Sequence, residues 1–97
     1  SLAVALLTNL LKNAFVHNID GGHIRITVTK NSITFRNSGV ENPLDKEHIF
    51  ERFYQGTKKE GSTGLGLAIA DSICRLQHLS IRYYFEQKEH CFEISRQ

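Results

Sequence analysis

The sequence predicts an α+β domain built as a two-layer sandwich, with one mixed, mostly antiparallel sheet and two main helices on a single face. Three observations predict it. Apolar residues recur at helical spacing over residues 2 to 18 and again from Leu65 to His78. Apolar and polar residues alternate in two pairs of short segments, each pair joined by a tight turn. The resulting order is α-β-β-(short α)-α-β-β, and hairpins separated by helices bury their apolar faces by stacking the helices on one sheet.

Each element has its own warrant. In residues 2 to 18, Leu6, Leu7, Leu10, Leu11 and Ala14 make an apolar helical face. Asn9, Asn13 and His17 recur every four residues and so share one stripe along its edge. Asparagine is a mediocre helix former, so two of them one turn apart suggest that the stripe meets something polar, although a solvated flank has the same pattern. Asp20-Gly21-Gly22 breaks the helix. His23 to Lys30 then alternates, with Ile24, Ile26 and Val28 on one face of a half-buried strand. Asn31-Ser32 is the expected turn, and Ile33 and Phe35 carry the return strand as far as Asn37-Ser38-Gly39. After a loop around Pro43, Asp45 is the expected N-cap of a short helix through Phe50. Gln55 to Thr63 reads as a polar loop. The second main helix places Leu65, Ala68, Ile69, Ser72, Ile73 and Leu76 near one face. Leu79 to Phe85 alternates, Gln87-Lys88-Glu89 turns the chain, and Phe92 with Ile94 closes the last hairpin.

Composition narrows the class. Ninety-seven residues make a single domain with one core. A net charge of +2 carried by scattered basic residues argues against nucleic acid as the main partner. No apolar run reaches the length of a membrane span. Cys74 and Cys91 form no C-x-x-C pair, which speaks against a zinc or thioredoxin-like motif. Cys74 lies among Leu67, Ala70, Ile73 and Leu76 and reads as a small core residue, in a chain of reducing-compartment character.

The stretch Gly61 to Ala70 carries the chemistry. It is a glycine-rich turn that opens an apolar helix, and free N–H groups at such a start suit phosphate. On these residues alone, phosphate binding and a mere tight helix entry both remain open. Other nucleotide motifs fit poorly. Leu67 and Ala68 follow Gly66 where a P-loop needs lysine and a hydroxyl, and the preceding segment is no Rossmann strand. A protein-kinase glycine loop lies between strands, whereas this one opens a helix.

Four motifs in order, across nearly the whole chain, resemble one family. Asn9-Leu10-Leu11-Lys12-Asn13-Ala14 with His17 resembles the N-box of sensor histidine kinases. Asn37-Ser38-Gly39 stands where their first glycine box begins, Ile49 to Tyr54 resembles their F-box, and Ser62 to Ile69 resembles their second glycine box. The resemblance implies the catalytic ATP-binding domain of a two-component sensor histidine kinase, with a Bergerat-type sandwich over residues 1–97.

The resemblance also implies roles. Asn13 matches the Mg²⁺ ligand, Asn9 supports the phosphates or a metal-bound water, and His17 flanks the nucleotide. Asn37, with Gly39 after it, matches the aspartate that accepts a hydrogen bond from the adenine amino group. Thr63, Gly64, Leu65, Gly66 and Leu67 line the phosphates, and Lys58, Lys59 and Arg52 lie in or beside the expected ATP lid. Asn37 replaces an aspartate, Glu41 and Ser62 replace glycines, and Gln55 stands where arginine is common. These departures imply weaker or altered nucleotide binding. They leave open a degenerate, non-catalytic module or another ATPase of the same class.

The implied partners are a separate dimerisation and phosphoacceptor domain of the same sensor and a downstream response regulator. None of His17, His23, His48, His78 or His90 sits in a phosphoacceptor motif, so no catalytic residue is expected in this chain. The sequence opens inside the N-box helix. The expectation is therefore an N-terminally truncated cytoplasmic domain of a membrane-anchored sensor, unable to autophosphorylate alone.

Overall fold

The computed structural model describes residues 1–16, 18–39, 47–51 and 66–97. Helix α1 spans Leu2–Val16 and buries Leu6, Leu10 and Ala14, the i, i+4, i+8 stripe that its leucines lay down. Strands β1 (Ile24–Val28) and β2 (Ser32–Ser38) form the first hairpin, helix α2 runs over Gly66–Leu76, and β3 (Leu79–Glu86) and β4 (Glu89–Arg96) form the second. The four strands lie in the order β1-β2-β4-β3, and each of their three pairings is antiparallel.

The core forms where α1 and α2 meet the helix-facing side of the sheet. Leu6, Leu10, Phe35, Ile73, Cys74, Tyr83, Phe92 and Ile94 are its main members. Full burial of a side chain of the leucine or phenylalanine class contributes about 1.5–3 kcal/mol, so this cluster is the main favourable term holding the two layers together. Phe92 lies at its centre, with its ring 5.1 Å from Tyr83 and 6.4 Å, edge-on, from Phe50.

Several expectations need correction. Ile26 and Val28 are 50% and 69% exposed, because β1 is an edge strand whose one described neighbour is β2. Leu7 and Leu11 likewise stay outside the buried stripe of α1. On α2 the buried side is Ala68, Ala70, Ile73 and Cys74, while Ile69 and Leu76 are exposed. The helix is rotated so that small side chains meet its neighbours. The first hairpin turns at Lys30-Asn31 rather than Asn31-Ser32, because the Thr29 hydroxyl accepts the backbone N–H groups of Asn31 and Ser32. Residues 47–50 make turns and no regular helix, and Asp45 lies outside the described residues.

Two devices close the elements. α2 ends with His78 at φ 58°, the left-handed conformation that stops a helix. Gln87 and Lys88, both at positive φ, form the two-residue turn between β3 and β4. This is the primed geometry that matches strand twist.

Candidate functional site

The pairing of Ile24 with Asn37 fixes which end of the sheet matters. α1 delivers the chain to β1 at that end, whereas α2 hands over to β3 at the opposite end, where Leu79 pairs with Arg96. The start of α2 therefore faces back towards Asn37 and the C-terminal half of α1. A direct contact supports this placement. A Cβ built on Gly66 would stand 3.4 Å from Oδ1 of Asn9, so the glycine lets the helix start lie against the asparagine stripe.

Asn9 and Asn13 are half-buried rather than solvated. Asn9 donates Nδ2 to the Ala5 carbonyl at 2.8 Å, which leaves Oδ1 as the atom turned to α2. Asn13, one turn on, makes no side-chain hydrogen bond among the described residues. An uncommitted, half-buried amide oxygen is a neutral hard donor. It fits an ion that keeps most of its positions for water and phosphate. No group of three or more His, Cys, Asp or Glu among the described residues makes an all-protein metal cage.

Asn37 closes the site from the sheet. It shares the helix-facing side of β2 with Ile33 and Phe35, and it is 2% exposed. Its Nδ2 donates to the Ser38 carbonyl at 2.8 Å. Gly39 follows, also buried, and Leu67 packs its side chain against the core below. Thus Asn9, Asn13, Asn37, Gly39, Gly66 and Leu67 gather at one end of the sandwich. His17, Lys58, Lys59, Thr63, Gly64 and Leu65 lie outside the described residues, as do Glu41 and Arg52.

Two features escape motif reading. One is a polar latch: Ser38 Oγ donates to Asn18 Oδ1 at 2.6 Å and accepts His23 N–H at 2.8 Å, tying the α1–β1 connection to the end of β2. The other is His90, which alternates with Phe92 and Ile94 and stands across the sheet from Asn37. A histidine in the apolar phase of a strand was the available signal. On the opposite face, Glu89 accepts hydrogen bonds from His23 and Arg25. The Arg25 guanidinium holds its carboxyl below the usual glutamate value; burial opposes this shift and His23 reinforces it.

Known proteins resemble this chain in sequence and in fold. Residues 2–95 match the family model described as "Histidine kinase-, DNA gyrase B-, and HSP90-like ATPase". The sensor histidine kinase RppB of Synechocystis sp. is 43% identical over 77 residues, covering 70% of this chain and 17% of the relative. The heme sensor protein HssS of Staphylococcus aureus is 40% identical over 82 residues, covering 79% of this chain and 18% of the relative. The chain thus spans less than a fifth of the length of these curated relatives. Among solved structures, the catalytic domain of histidine kinase ThkA superposes with a TM-score of 0.74 at 28% identity, over 92% of this chain and 61% of that one. The mycobacterial sensor histidine kinase MprB superposes with a TM-score of 0.73 at 22% identity, over 95% of this chain and 71% of that one. With helices and sheet in the Bergerat arrangement and the match running over nearly its whole length, the chain belongs to the histidine kinase-, DNA gyrase B- and HSP90-like ATPase family, with sensor histidine kinases among its relatives.

Proposed function

We propose that this chain is the ATP·Mg²⁺-binding catalytic domain of a two-component sensor histidine kinase, presenting the γ-phosphate to a histidine on a separate helical domain. The observation that carries the reading is the gathering of Asn9, Asn13, Asn37 and the start of α2 at one end of the sandwich. Asn13 holds Mg²⁺ through its amide oxygen, Asn9 orients the phosphates or a metal-bound water, and Asn37 accepts the adenine amino group. The N–H groups opening α2 lie against the phosphates. Mg²⁺, when bound, neutralises charge on the β- and γ-phosphates. Catalysis is then positioning and charge stabilisation: the γ-P–O bond to ADP breaks as a P–N bond to the acceptor imidazole forms, and the imidazole loses its proton. His17, Lys58, Lys59, Thr63, Gly64 and Leu65 complete the nucleotide contacts. The partners are the dimerisation and phosphoacceptor domain and a response regulator, in a cytoplasmic portion of a membrane-anchored sensor.

Calorimetric titration with a non-hydrolysable ATP analogue tests the reading. Binding is expected with Mg²⁺ and weaker without it. Asn13→Ala should weaken Mg²⁺-dependent binding about tenfold or more, the scale of one lost charge-assisted contact, and leave the Mg²⁺-free value unchanged. A folded sample that binds no nucleotide at millimolar concentration overturns it. The neutral Asn37 in place of a carboxylate favours a second reading, a regulatory module that binds nucleotide without efficient phosphotransfer. Phosphorylation of the response regulator by the full-length sensor would exclude that alternative.

A further inference from the structure

The end of the sandwich remote from Asn37 holds a cavity of about 230 Å³. Strand register builds its floor. Val28 pairs with Ile33 and Ile33 with Ile94, so three branched apolar side chains stand in a row on the helix-facing side. Leu79 and Arg96, paired with each other, stand on the same side one step further along. Packing leaves this row unfinished. Ile94 is buried, but Ile33 and Leu79 are half-buried and Val28 is 69% exposed. The rim is cationic. The Arg96 backbone N–H donates to the Asn31 carbonyl at 3.3 Å, which holds the end of β4 against the first hairpin turn and brings Arg96 to the same cavity as Lys30. Neither cationic side chain makes an ion pair or hydrogen bond among the described residues, and no acidic residue lines the cavity.

We propose that this cavity binds an amphiphilic carboxylate, its apolar tail on Ile33, Leu79 and Ile94 and its carboxylate between Lys30 and Arg96. The site lies apart from the nucleotide site and does not rest on that reading. Size sets the tail. The volume exceeds the roughly 150 Å³ of an apolar cavity that takes up benzene, and it falls short of the roughly 300 Å³ at which pockets for drug-sized ligands begin. A medium-chain acid, of which octanoate is the type, falls between these limits. Charge sets the head. Two cations held at one mouth repel each other, and an anion between them relieves the repulsion. The arginine fork also matches the two oxygens of a carboxylate. A neutral amphiphile would gain only the apolar contact, and an amine would add a third positive charge. The bound carboxylate ties the first hairpin turn to the end of β4, and a ligand held by the folded state alone raises its stability.

The experiment titrates the chain with octanoate and, in parallel, with octanol, which has the same tail and no charge. Amide shifts by NMR and the thermal melt are the readouts. Octanoate is expected to saturate, to shift the amides of Lys30, Ile33, Leu79 and Arg96, and to raise the melting temperature as its concentration rises. Octanol should bind at least about threefold more weakly, the scale of an exposed ion pair, and added salt should narrow the difference. Lys30→Gln and Arg96→Gln should each weaken octanoate about threefold and leave octanol unchanged. Both side chains are exposed, so the variants are expected to fold. Should either fail to fold, the ratio of octanoate to octanol affinity in the wild-type chain still decides. Octanol binding as tightly as octanoate, or a folded variant that weakens both alike or neither, overturns the role of the two cations. Shifts that stay linear with concentration, or that fall elsewhere on the molecule, overturn the site itself.

Discussion

Glu89 shows how a single side chain couples distant parts of the sequence. Its carboxylate, 5% exposed, accepts a 2.7 Å hydrogen bond from His23 and a two-pronged contact from Arg25, residues more than sixty positions earlier. Both partners are half exposed, so solvent screens them, and the main cost of breaking the cluster is the buried carboxylate left behind. A carboxyl with a folded pKa below its unfolded value adds stability above the unfolded value, about 4.3, and loses it as pH falls through the folded one. Glu89→Gln should therefore lower the urea midpoint at pH 7, and its deficit against wild type should shrink progressively below about pH 4.5. A pH-independent deficit would contradict this linkage. Gly22 marks the other constraint at this scale. A Cβ there would overlap Ser38 Oγ and Asn18 Oδ1, the two halves of the latch. Gly22→Ala should cost about 2 kcal/mol or more, measured by chemical denaturation, whereas Gly21→Ala meets no neighbouring atom and costs only the strain of its positive φ.

Among the elements, the two hairpins differ in how far local chemistry explains them. The first is closed by the Thr29 hydroxyl, a side-chain device that shifts the turn by one residue from the sequence expectation. The second places Gln87 and Lys88 at positive φ, where neither residue type is favoured. Tertiary packing of β3 on β4 around Tyr83, Cys91 and Phe92 imposes the turn on residues that would not choose it. Replacing Gln87-Lys88 by Asn-Gly should raise stability by about 1 kcal/mol, since those residues take the primed turn without strain. Equilibrium unfolding measures the gain. Helix existence and strand order along the chain were legible because the apolar periods are long and clean. The rotation of α2 was not. Ala68, Ala70 and Cys74 are less hydrophobic than Ile69 and Leu76, yet they are buried because they are small enough for close contact.

At the scale of the whole molecule, Cys74 and Cys91 report on integrity, since they lie 1% and 0% exposed in different layers. Burial pushes both thiols up, with Asp71 adding to the effect at Cys74 and Arg36 opposing it at Cys91. Labelling of the native chain with a thiol reagent should run about a hundredfold or more slower than in denaturant, with both cysteines gaining reactivity together as the fold opens. Early labelling of one alone would mean that the two layers open separately. The sequence by itself determined the α+β class, the asparagine stripe on α1 and the glycine entry to α2, because these depend on local period and backbone freedom. Only the tertiary structure decided which residues share an end of the sandwich. The antiparallel β2–β4 register sets His90 opposite Asn37, and chain reversal brings Gly66 back to Asn9. Such encounters join residues more than fifty positions apart, and no local pattern encodes them, because they arise from how the layers close on one core.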